Sequence, residues 1–169
     1  MPEEKYDSAM DTKAHKLEVL KIMSCICREL LDRGEKHDDS KLREPEKSVF
    51  DKVTPRLRGL TYGSDAYKKS LKTMGKALDH HYAHNKHHPE YNDVNGFTKE
   101  VGGPGGSVAA MDLMDIVEMF CDWLGATRRH DDGDILKSIT HNKERFKISD
   151  QLANIFSNTA SYVKAKDLI

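Results

Sequence analysis

Five of the nine histidines in this 169-residue chain lie in one short stretch, DHHYAHNKHHPEY, at residues 79–91. They are His80, His81, His84, His87 and His88. Imidazole together with carboxylate is a ligand set for zinc, iron or manganese, whereas carboxylates alone suit magnesium or calcium. The stretch therefore predicts that at least two of these imidazoles bind a metal ion or a phosphate group.

Helical spacing suggests different roles for these histidines. His81 continues the apolar positions of a helix that Ser64 is predicted to cap, so it should face the core. His84 and His87 are interpreted as surface or supporting groups. Glu90 follows the stretch, and we expect it either to orient a ligating imidazole or to act as a general acid or base.

A second pattern is the acidic face of the apolar segment at residues 108–126. Asp115, Glu118 and Asp122 recur at spacings of three and four, which places them on one face of a helix. An amphipathic helix with its acidic face in water is one interpretation. The alternative is a central, buried helix, because the segment is apolar nearly all round. Buried carboxylates need cations, and metal ions would supply them.

A third pattern is the adjacent pair His37–Asp38, which follows a helix carrying His15 on its expected core-facing side. This order resembles the metal site of the HD-domain metal-dependent phosphohydrolases, an all-helical superfamily with one His, a His-Asp pair and a later Asp. The resemblance implies that His15, His37, Asp38 and one acid of the later helix hold a metal ion. Asp122 is the preferred acid, with Asp115 as the alternative.

Three further residues acquire roles from this arrangement. Lys41, three residues after Asp38, is predicted to clamp a non-reacting phosphate group, and a solvated lysine is the alternative. His81 and His88 are free to hold a second metal ion or to contact a phosphate.

A closer resemblance covers most of the chain. The segments HHYAHNKHHPEY and IVEMFCDW, with TYGSDAYKKSL before them and SITHNKERFKISDQL after them, are similar to an uncharacterised family found mainly in tailed phages and some bacteria. The similarity implies that His81, His88, Glu118 and Asp122 matter more than their neighbours. It places Glu118 among the catalytic candidates with Lys41 and Glu90.

The patterns predict an all-α fold, a compact HD-domain-like bundle of about six helices in a single domain over residues 1–169. The helices are expected at about 11–34, 45–57, 64–81, 108–129, 134–146 and from Ser149 onward, with a flexible glycine-rich loop at about 101–107. Pro55 should end or bend the second helix. The three cysteines, Cys25, Cys27 and Cys121, are expected to be buried thiols in a reducing compartment.

Composition limits the partners. The chain is 37% hydrophobic and 33% charged with a net charge of −1, so no global field attracts nucleic acid or a membrane. The first residues lack the apolar stretch of a signal peptide, and we expect a cytoplasmic protein, in the host cytoplasm if a phage encodes it.

These expectations combine into a metal-dependent phosphohydrolase that uses a metal-activated water on a nucleotide or other small phosphate ester. One or two divalent ions of zinc, manganese or iron would be needed. The alternatives are a dinuclear iron oxygenase of the HD type and a non-catalytic, metal-stabilised helical protein that binds a phage or host partner. A His-Asn-His nuclease is disfavoured, because its motif needs a pair of strands where this sequence predicts helix.

Overall fold

The computed structural model describes residues 6–61, 64–97, 106–129 and 133–167. All regular structure in those ranges is helical, which confirms the predicted all-α class, and the helices number more than the six expected. The chain divides into two compact units, Met1–Lys36 and His37–Ile169. The single domain and the likeness to HD domains stay predictions.

The first unit contains one long helix, α1, at Ala9–Lys36. The helix continues through Gly34, where the sequence predicted its end. It has no buried residue, and the expectation that His15 faces a core stays a prediction. Cys25 and Cys27 are likewise exposed rather than buried. The described part of this unit offers no second helix, so nothing within it can cover an apolar face.

The second unit begins with a 3-10 helix at Asp39–Leu42, followed by α2 at Lys47–Leu57, which keeps Pro55 inside it. The predicted third helix is two helices, α3 at Asp65–Lys72 and α4 at Lys76–His84. Gly75 separates them with φ of 49°, a value that favours glycine. The predicted cap is confirmed, since Ser64 Oγ accepts a hydrogen bond from the Tyr67 amide. A short helix, α5, follows at Glu90–Val94.

The remaining helices are α6 at Gly106–Ala109, α7 at Leu113–Thr127, α8 at Ile135–Phe146 and α9 at Asp150–Ala165. The predicted helix at 108–129 is therefore broken before α7. Asp112 caps α7, and Asp115 closes a reciprocal capping box with it. Asp115 is thereby committed to the start of the helix, although it is buried. Of the predicted glycine-rich loop, residues 101–105 lie outside the described residues.

The core of the second unit lies among α7, α8 and α9. Phe120 stacks on Phe156 with ring centroids 5.0 Å apart, and Trp123 meets Phe156 edge-on at 5.6 Å. Cys121 is exposed beside this core, contrary to the expected buried thiol. Within the described residues, no helix combines the length and hydropathy that crossing a membrane requires.

Candidate metal centre

Contacts of the 3-10 helix with α2 and α4 bring the His-Asp segment beside the histidine-rich stretch. His81, on the last turn of α4, is 2% exposed. Its Nδ1 lies 2.9 Å from Oε2 of Glu46, which has no exposed surface. Glu46 also accepts a hydrogen bond from Ser40 Oγ at 2.9 Å, and its Oε1 lies 2.7 Å from Nδ1 of His80. With its Nδ1 proton donated to this carboxylate, His81 keeps a lone pair on Nε2.

The turn between α4 and α5 supplies two more imidazoles. His87 is 2% exposed, and its Nδ1 lies 3.1 Å from Oε1 of Glu118 on α7. Donation of that proton leaves the Nε2 lone pair of His87 facing Oδ1 of Asp38, 3.6 Å away. Both of these atoms are buried, and neither has a hydrogen-bond partner among the described residues. Buried polar atoms are nearly always bonded, so these two point to a missing electropositive partner.

Asp38, His81, His87 and His88 each offer one ligand atom, and these four atoms lie within 4.8 Å of one another. His81 Nε2 is 2.8 Å from His88 Nε2 and 3.4 Å from Asp38 Oδ1. A tetrahedral ion with bonds of about 2.0 Å needs its ligands about 3.3 Å apart. The donor set and its spacing therefore fit a metal ion, and the group can hold one.

Lys41 holds the carboxylate of this group in place. Asp38 has the left-handed φ of 62°, and its Oδ2 is 2.5 Å from Nζ of Lys41. Burial raises the pKa of Asp38, but the charge and hydrogen bond of Lys41 outweigh it, and the net shift is downward. Lys41 was expected to clamp a phosphate, and that role stays a prediction; in the structure it pairs with Asp38 Oδ2 and leaves Oδ1 without a hydrogen-bond partner among the described residues.

His37, His87 and Glu118 form a second group with metal-ligand spacing. His37 Nδ1 lies 3.0 Å from Glu118 Oε1, and its Nε2 lies 3.6 Å from Asp122 Oδ1. Hydrogen bonding to Asp122 and then to Glu118 raises the pKa of His37 to about 10. Burial opposes ionisation of Glu118, yet the hydrogen bonds from His37 and His87 lower its pKa to about 2. This second group is internally neutralised, whereas the first is not.

Charge distinguishes the imidazoles of the first group from His37. Burial, and then the charge of Lys41, lower the pKa of His81 to about 4. Burial, and then the neighbouring His87 and His81, hold the pKa of His88 well below its usual value. Both rings are therefore neutral near pH 7, which is the form that binds metal ions.

The structure brings together most of the residues chosen as metal ligands from the sequence. His37, Asp38, His81 and His88 meet here, and Asp122 adjoins them through His37. His15 lies in the first unit, and its role as a metal ligand stays a prediction.

Glu90, expected to orient an imidazole or to act as a general acid or base, pairs through Oε1 with Arg145 at 2.5 Å, and its expected role stays a prediction. His84 is exposed and stacks on His80 at 3.9 Å. Sequence reasoning missed His87, whose only signal was its adjacency to His88 and Pro89. It also missed Glu46, because no feature of the surrounding sequence indicates that this carboxylate is buried.

A cavity of 840 Å³ within the second unit borders the first group at Asp38, His81 and His88. Arg58 and Arg129 line the same cavity, are exposed, and have no ion-pair partner among the described residues. A site that adjoins the candidate metal group and carries unpaired guanidinium groups is suited to an anion.

The fold and site define an all-α protein with a candidate metal centre of three histidines and one aspartate. The chain belongs to DUF5662, a family of unknown function, whose family model matches residues 4–162. Neither a search of curated proteins nor a search of solved structures found a match.

Proposed function

We propose that this protein is a metal-dependent phosphohydrolase acting on a nucleotide or another small phosphate ester. The observation that carries the proposal is the pair of orphaned buried atoms, Asp38 Oδ1 and His87 Nε2, at the edge of a cavity that Arg58 and Arg129 line. A purely structural cluster would have satisfied these atoms within the protein. The likeness to the HD pattern, with His37 and Asp38 adjacent, agrees with this activity.

The donor set favours a borderline transition metal. Three imidazoles and one carboxylate suit zinc, manganese or iron better than magnesium or calcium. An ion held there would supply the charge that activates a water molecule and stabilises the phosphoryl oxygens. Hydrolysis then forms a bond from the water oxygen to phosphorus and breaks the ester bond, with a proton passing to the departing oxygen.

The protein's own residues contribute orientation and charge. Glu46 and Glu118 fix the ring positions and proton positions of His81 and His87. Arg58 and Arg129 attract the anionic substrate to the cavity. In the proposed reaction a phosphate ester binds beside the metal centre without using Glu90, which pairs with Arg145.

A dinuclear iron oxygenase is the second candidate. The observation that favours it is the second group, in which His37, His87 and Glu118 adjoin the first through the shared His87. Two neighbouring cation positions would suit a pair of iron ions as well as a phosphoryl-transfer site. The identity of the bound metal separates the two candidates.

The test is metal analysis by mass spectrometry on tag-free protein, followed by assays with p-nitrophenyl phosphate and nucleoside monophosphates. We expect at least one equivalent of zinc or manganese and metal-dependent release of phosphate. His87→Ala should lose both metal and activity. His84→Ala is the matched control, because His84 is exposed and outside both groups, and it should keep both.

Three results would contradict the proposal. Protein without metal above background would leave a partner-binding helical protein as the better explanation. Metal retained fully by His87→Ala would remove the site described here. Iron that reacts with oxygen, without phosphate release, would favour the oxygenase.

A further inference from the structure

One wall of the cavity is a polar face of α8. Ser138, His141, Asn142 and Arg145 all line the cavity, and their spacing places them on one side of the helix. Ser138 and Asn142 are buried, with Asn142 having no exposed surface. A buried polar row is costly unless its groups are hydrogen-bonded.

Asn142 is incompletely bonded. Its Nδ2 has one long contact, 3.4 Å to Ser138 Oγ, and its Oδ1 has no partner among the described residues. A buried amide with a vacant acceptor calls for a hydrogen-bond donor from outside the protein's own described groups. The unpaired Oδ1 of Asn142 is therefore evidence for a ligand that does not depend on the cavity volume.

The Arg145 end of the polar row lies near the first metal group. Arg145 Nη2 contacts the Tyr82 hydroxyl at 3.3 Å, and the Tyr82 ring lies 5.1 Å from that of His88. Ser138 is seven residues earlier on α8, which is about 10 Å along the helix axis. A molecule that reaches from the metal group to Ser138 and Asn142 is thus much longer than a phosphate ion.

Two aromatic residues also line the cavity. Trp123, the chain's only tryptophan, lines the cavity together with Tyr67. Nucleobases stack on aromatic side chains, whichever base is present. An asparagine amide, with one acceptor and two donors, matches the hydrogen-bonding edge of a nucleobase.

We propose that Asn142 and Ser138 form a nucleobase subsite, so that the cavity takes a nucleoside monophosphate with its phosphate at the metal centre. This inference rests on the proposed function for the position of the phosphate. It makes Asn142 a specificity-determining residue, whose amide selects substrates by the polar edge of their organic group.

The test uses calorimetric titration of the metal-loaded protein with nucleoside phosphonates, in which a CH2 group replaces the ester oxygen and blocks hydrolysis. We expect at least one of the four common bases to bind about tenfold more tightly than methylphosphonate, with a change in Trp123 fluorescence. Asn142→Leu, which keeps the volume, should weaken that phosphonate about tenfold. Ser138→Ala should weaken it by about threefold and covers the case in which Asn142→Leu does not fold.

Asn154→Leu is the control, because Asn154 is exposed on α9 and does not line the cavity. It should bind like the wild type. Equal affinity for all phosphonates, or unchanged binding in both Asn142→Leu and Ser138→Ala, would overturn the subsite. Selective binding without hydrolysis of any monophosphate would instead refute the proposed catalytic function and leave the subsite standing.

Discussion

Glu46 is a carboxylate with no exposed surface, and its contacts are Ser40 and two imidazoles rather than a lysine or arginine. A buried carboxylate is costly unless its neighbours donate to it. Here one of the donors, His81, also belongs to the candidate metal centre. Glu46 therefore has hydrogen-bond donors for its buried carboxylate. Because it accepts the Nδ1 proton of His81, the nitrogen left available to an ion is Nε2.

This role gives a prediction for Glu46→Gln. An amide at this position can donate as well as accept, so it no longer fixes the proton on His81 Nδ1. We expect metal affinity to fall by about 10- to 100-fold, measured by competition with a chromophoric chelator. Glu44→Gln is the control, because Glu44 is exposed and bonds only Ser48 among the contacts in the described chain.

Equal chelator competition by Glu46→Gln and Glu44→Gln would show that Glu46 has no part in metal binding. Loss of affinity in both variants would point to a general change in the charge of this segment instead.

Residue types alone identified the region of the site but ranked its histidines imperfectly. His84 and His87 received the same surface interpretation, yet one is exposed and the other is 2% exposed inside the group. The difference comes from the turn after α4, which reverses the chain and points His87 inward. Helical spacing cannot reveal that geometry, because His87 lies beyond the helix end.

Two helix starts were predictable at the scale of elements. Ser64 was expected to cap a helix and Ser149 to begin one, and each accepts a hydrogen bond from a first-turn amide. The break between α3 and α4 was missed, because apolar positions continue at helical spacing across it. Periodicity shows which side chains face inward. A short break between two helices that bury the same face does not alter this pattern, so the pattern cannot reveal the break.

Gly75 provides a test of that break. With φ of 49° and ψ of −126°, it holds a conformation that disfavours any side chain, although a Cβ there would meet nothing within 4 Å. Gly75→Ala should therefore lower the free energy of unfolding by about 1–2 kcal/mol, purely through backbone strain. Denaturation in urea measures it.

Gly125→Ala is the matched control. Gly125 lies inside α7, also with nothing within 4 Å, and its φ is not positive. Alanine at that position should raise the free energy of unfolding by up to about 1 kcal/mol. A Gly75→Ala variant as stable as Gly125→Ala would mean that the chain does not need this break.

Over the whole molecule, the buried histidines predict how stability depends on pH in the metal-free protein. The pKa of His81 falls to about 4 when folded, mainly through burial, so the unfolded chain binds more protons between about pH 4 and 6.5. Acidification through that window should destabilise the fold. The pKa of His37 rises to about 10 through Asp122 and Glu118, so its stabilisation is complete below about pH 6.5 and disappears toward pH 10.

We therefore expect maximal stability near neutral pH, measured by urea denaturation of chelator-treated protein from pH 4 to 10. In His37→Gln the decline on the alkaline side should flatten, while the acid side should remain. Stability that rises steadily to pH 9 in the wild type would contradict the ion pairing assigned to His37.

The all-α class and most of the site were accessible from sequence, because His37, Asp38, His81 and His88 stand in recognisable patterns. The division into two units was not, since α1 shows an apolar periodicity typical of a packed helix. Long-range partners such as Glu46 with His81, or Glu118 with His87, depend on how distant segments meet. No local sequence pattern predicts these contacts.

His87 faces one group with Nε2 and the other with Nδ1. An ion in the second position has to displace the Nδ1 proton, which leaves a ring shared between two cations that repel each other. We therefore expect loading to be anticooperative, because the second ion enters only with release of the Nδ1 proton of His87 and of the proton that His37 carries near neutral pH. The number of metal ions bound per protein should rise from one toward two as the pH increases. A non-integer metal count would then reflect the pH of the buffer rather than incomplete purification.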